Sequence, residues 1–95
     1  MNKENIVELI INNKNEFIKN RDKNENLELQ ETDFEHANLE DIDLTNIDFS
    51  GSTFQEAVLT NVKFIDCDLT SADFSRAALS ECDFSGSILN GTNFN

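Results

Sequence analysis

The chain has 95 residues, enough for one small domain, with eight Phe, no Trp, Tyr or Pro, and a formal net charge of −12. Residues 1–26 carry five bases and five acids, whereas residues 27–95 carry fourteen acids against Lys63 and Arg76. A surface so acidic repels nucleic acid and anionic lipid, no apolar run approaches the ~18 residues of a membrane span, and the N-terminus lacks the apolar core of a signal peptide, so the expectations are no direct nucleic-acid binding, no membrane and a cytoplasmic location.

In chain order, Ile6, Val7, Ile10, Ile11, Phe17 and Ile18 come first and fall on one helical stripe, with Leu9 at its edge. Asn5 with Glu8 and Asn13 with Glu16 read as capping boxes. A helix is expected from about Asn2 to Lys23, or two helices if the run Asn12–Asn15 breaks it. Residues 1–26 are thus read as a helical cap, with an apolar face that covers Leu29, Phe34, Leu39 and Leu44. A partner-binding or membrane-binding helix is the rival reading. It is the weaker one, because the stripe is needed within the protein and the polar face is not notably basic.

From Leu29 onward Leu or Phe recurs every five residues: Leu29, Phe34, Leu39, Leu44, Phe49, Phe54, and so on without a miss to Phe94. Two residues before each lies a second column, Leu27, Thr32, Ala37, Ile42, Ile47 and their successors, either apolar or small and hydroxylated. A period of five drifts around a helix and alternates faces on a strand. It suits a short extended step with two inward side chains, then a corner.

The pattern resembles the pentapeptide-repeat family, whose motif is roughly Ala-Asp/Asn-Leu-x-x, most clearly in Ala37-Asn38-Leu39-Glu40-Asp41 and Ala72-Asp73-Phe74-Ser75-Arg76. The resemblance implies a mainly β fold over residues 27–95: a right-handed quadrilateral β-helix solenoid with four repeats per coil, about 3.5 coils here. The residues themselves support four faces. Sorted by every fourth repeat, Phe34, Phe54, Phe74 and Phe94 fall together, as do Leu39, Leu59 and Leu79. In the second column Ala37, Ala57 and Ala77 share a face, and Ile42, Val62 and Cys82 another.

No catalytic site, cofactor site or metal site is expected. His36 reads as a surface residue among Glu35, Glu40 and Asp41. Cys67 and Cys82 occupy inward positions on different faces and read as buried free thiols. Asp33, Asp43, Asp48, Asp68, Asp73 and Asp83 recur just before the central residue, where Asp commonly bonds to corner amides. Asp48 and Asp68 are expected to stack one layer apart.

The leading functional reading is a non-enzymatic acidic protein–protein interaction module, with Val58, Ile65 and Ala78 as a candidate partner patch. The alternative comes from the resemblance: some relatives act on DNA gyrase or topoisomerase by DNA mimicry, as in quinolone resistance. At the far end Leu79, Phe84, Ile88, Leu89 and Phe94 lack charged neighbours from residue 84 on, so a homodimer through this C-terminal coil is expected. The competing account is that the chain is a piece of a longer one.

Overall fold

The structure, a computed structural model, describes residues Asn2–Asn95. Helix α1 spans Lys3–Asn12 and α2 spans Lys14–Asn20. The cap of α1 is Asn2, not Asn5: the Asn2 side chain accepts the N–H of Asn5 at 2.8 Å. The expected pairing of Asn5 with Glu8 lies inside the helix, because Asn2 offers the same oxygen one turn earlier.

The helix breaks at Asn13, which leaves helical geometry at φ −151, ψ 63. Its N–H still closes α1 on the carbonyl of Leu9, and its side chain opens α2 by accepting the N–H of Glu16 at 3.4 Å. The Glu16 carboxylate takes the side-chain amide of Asn20 at 2.9 Å instead of returning to Asn13, so half of the expected box forms. Short Asn side chains compete for backbone groups, and a run of them yields two short helices where one was expected. Arg21 is already extended, so the helical segment stops before Lys23.

Five strands follow: β1 (Leu27–Glu28), β2 (Asn38–Asp43), β3 (Ile47–Asp48), β4 (Val58–Lys63) and β5 (Ala78–Ser80). All pairing is parallel, with Leu27 opposite Ile47, Leu39 opposite Leu59, and Leu59 opposite Leu79. Asp33, Thr53, Asp73 and Asn93 continue the same twenty-residue register as isolated bridges. β2 and β4 run through a corner, at Asp41 and Asn61, and the other strands stop within one repeat.

Each corner places the residue two after the centre at positive φ, from Glu31 at 56° to Gly91 at 68°. At several corners the N–H three residues after the centre meets the central carbonyl, as from Ala57 to Phe54 at 3.1 Å, whereas the N–H groups of Thr32 and Cys67 donate to the hydroxyls of Ser52 and Ser87. Non-glycine side chains resist this left-handed conformation. Here the strain is offset by a bond from the same residue to the next layer, as from the Glu56 N–H to Ser75 at 3.0 Å.

Between the corners the core is a column of rings. Phe54 lies 4.8 Å above Phe34 and 4.6 Å below Phe74, nearly parallel to both. Phe49 and Phe64 meet that column edge-on. Leu29, Phe34, Leu39 and Leu44 are all buried, as are Val7, Ile10 and Phe17 of the helices. The buried hydroxyls are satisfied: Thr32 and Ser52 both donate to the Leu29 carbonyl, at 2.8 and 3.0 Å.

Candidate interaction surface

The recurring aspartates sit one residue before each centre, and their carboxylates turn back to the chain. Asp33 accepts the N–H of Glu35 at 2.9 Å, Asp48 that of Ser50 at 2.9 Å, Asp68 that of Thr70 at 3.0 Å and Asp73 that of Ser75 at 2.9 Å. Thr53 and Asn93 do the same for Gln55 and Asn95. The N–H two residues on faces outward at the corner, and an oxygen on a short side chain reaches it. Much of the negative charge is therefore a by-product of turn chemistry.

Stacking then gathers the acids into columns. Asp48 and Asp68 are bridge partners, as expected. On another face Lys63 pairs with Asp43 below and Asp83 above. Burial raises the pKa of Asp43, but the Thr45 hydroxyl and N–H and the Lys23 ammonium, 3.4 Å away, outweigh it and hold the carboxyl below its ordinary value. The hydroxyl and N–H of Ser85 hold Asp83 down in the same way, with help from Lys63.

His36 lies 4.0 Å from Glu35 and 4.0 Å from Glu56. Its second carboxylate neighbour is thus Glu56, where the chain order suggested Glu40 and Asp41: a corner residue faces its counterpart one layer on. The three donors of Glu35, His36 and Glu56 lie within 4.8 Å of one another, and all three residues are exposed.

Val58 is exposed and sits opposite Ala78, also exposed, while Ile65 is half-buried on the following face, with Thr60, Asn61 and Lys63 between. At the other end Leu79, Ile88, Leu89 and Phe94 are 40–48% exposed and Phe84 is half-buried. Cys67 is buried and burial pushes its thiol up to about 11. Cys82 belongs to this last layer and is only half-buried. Its expected shielding is incomplete because, among the described residues, no further layer lies over it.

Three functional groups escaped the sequence reading. The Lys3 ammonium donates to the Gln30 carbonyl at 2.7 Å, the Lys14 ammonium to Glu40 at 2.5 Å, and the Arg21 guanidinium to Thr45 at 2.7 Å. Those carbonyls sit one residue after the centre in three of the first four repeats. Burial lowers the pKa of Arg21, against the opposing influence of Cys67, Asp43 and Asp22. The one signal of these contacts in the sequence is that five of the seven bases precede the repeats.

No helix among the described residues is long and apolar enough to cross a membrane. A family model described as a pentapeptide repeat region matches residues 23–94. No curated protein matches the chain.

Proposed function

Since the chain belongs to the pentapeptide-repeat family, we propose that it is a non-enzymatic acidic interaction module, built on a right-handed quadrilateral β-helix of about 3.5 coils with residues 1–26 as its cap. The observation that carries this reading is the use of the recurring polar side chains. The inward positions are filled by Leu, Phe, Ile, Val and small residues, and the aspartates serve the turns, as Asp73 does for Ser75 at 2.9 Å. What remains for a partner is a rigid outer surface with a strong negative field, suited to a basic protein surface in the cytoplasm.

Corner acids that cap no turn are the groups to test. Glu31, Glu56 and Glu81 project from corners. Proteins captured from the source cell by the parent chain should be basic and should be released by salt. Capture should weaken with Glu31→Gln/Glu56→Gln/Glu81→Gln. Partners indifferent to both salt and the substitutions would reject the acidic surface as the contact.

A second reading is DNA mimicry toward gyrase or topoisomerase. It is favoured by charge density: duplex DNA carries ~3 charges over a ~4.8 Å layer, and residues 27–95 carry a net −12 over the proposed coils. Inhibition or protection of gyrase supercoiling at low micromolar protein, weakening with salt, would select it. No effect leaves the general module. We further propose that two copies meet end to end through Leu79, Phe84, Ile88, Leu89 and Phe94, which would lengthen the acidic surface.

A further inference from the structure

The acids near the corners divide into two groups. Asp33, Asp48, Asp68 and Asp73 each commit a carboxylate oxygen to the amide two residues on. Glu35 and Glu56 do not. Among the described residues no N–H or O–H is hydrogen-bonded to either carboxylate, and Nε2 of His36 stands 4.0 Å from Oε2 of Glu35 and 4.0 Å from Oε1 of Glu56.

The backbone under this trio is fixed in both layers. Asp33 accepts the Glu35 N–H at 2.9 Å. His36 takes the corner at φ 63°, and its N–H donates to Gln55 at 2.9 Å, the residue before Glu56. Glu56 takes the next corner at φ 59°, and its N–H donates onward to Ser75 at 3.0 Å. Only side-chain rotamers are left to order when a ligand binds.

We propose that Glu35, His36 and Glu56 bind a divalent transition-metal ion, with zinc as its representative. One imidazole nitrogen and two carboxylate oxygens are a zinc-type donor set, whereas calcium and magnesium prefer oxygen alone. Ligands ~2.1 Å from a tetrahedral ion lie about 3.4 Å apart. The three donors already lie within 4.8 Å of one another on exposed side chains, so small rotations close the set. The ion offsets the repulsion between the two carboxylates. Three protein ligands leave a fourth position, which opens to solvent and takes water.

Glu56 belongs to the layer after His36, so the ion ties two layers together. Binding to the folded chain should therefore raise its thermal stability as zinc is added. The site draws on neither the helical segment nor the C-terminal repeats.

His36 is the one histidine in the chain, so its imidazole proton signals report the site directly. Zinc chloride is titrated into the full chain while those signals and the melting temperature are followed, with a chromophoric zinc indicator as competitor. One ion per chain should bind, the imidazole signals should move and the melt should rise. Glu56→Gln should weaken binding about tenfold or more, since even groups behind the ligands cost that much. His36→Asn accepts the positive φ and should abolish binding. Glu40→Gln removes an equal charge from the acid that chain order sets near His36, and should bind as the parent does. Imidazole signals unmoved by millimolar zinc overturn the proposal. So does affinity that survives Glu56→Gln, which leaves a lone imidazole as the ligand, or that falls as far with Glu40→Gln, which leaves a diffuse acidic field. Loss of binding with Cys82→Ser would assign the ion to the thiol and overturn it as well.

Discussion

The ring of Phe54 stacks on that of Phe34 at 4.8 Å, within 5° of parallel, although twenty residues separate them. With Phe74 above at 4.6 Å and no exposure to solvent, Phe54 is held on both sides. Phe54→Ala removes a ring that its stacked neighbours cannot collapse to replace. It should cost about 3–5 kcal/mol. A thermal melt is the check, and one little changed from the parent rejects the stacked core.

Asp43 links acidity to stability. Its carboxylate accepts the Thr45 N–H at 2.9 Å and lies 3.4 Å from Lys23, and its pKa stands below the ordinary 3.8. A depressed folded pKa gives stability that is complete above the ordinary value and is lost as pH falls below 3.8 through the folded value. Asp43→Asn keeps an acceptor for Thr45 and abolishes this titration. Below that pH the parent's melting temperature should drop faster than the variant's. Parallel curves would show that the Asp43 contacts do not favour its ionised form.

The two thiols should separate kinetically. Cys67 is buried, donates to the Leu44 carbonyl at 3.0 Å and ionises only at about 11. Cys82 is half-buried in the last layer. A thiol reagent near neutral pH should label Cys82 first and reach Cys67 only on unfolding, since the thiolate is the reactive form. Peptide mapping after brief labelling reads the order. Equal rates in the native protein would mean that the stack opens far below its core.

The proposed end-to-end pairing concerns Phe94, 45% exposed beside Leu89. Light scattering should give a dimer for the parent and a monomer for Phe94→Asp, which sets a charge on the shared surface. A monomeric parent removes the pairing, and a dimeric variant moves the contact elsewhere.

The period of five by itself determined the inward columns, because burial demands the same two apolar positions in every repeat. The twenty-residue register was legible too: large side chains stack on large and small on small, so Phe34 and Phe54 already sort together. Even the turn role of Asp68 follows from local chemistry, since the bonded amide is two residues away. Only the tertiary structure decided the contacts of Lys3, Lys14 and Arg21. They bond to main-chain carbonyls, which every residue carries, and what makes the carbonyls of Gln30, Glu40 and Thr45 available is their place on an edge with no layer beneath. The same holds for His36 and Glu56, brought together only when one corner faces the next. It holds for Cys82, whose exposure follows from its layer, since its residue type and repeat position match those of the buried Cys67. Side-chain pattern records what a residue needs; the unpaired edge of a stack is a property of backbone position, and no side chain encodes it.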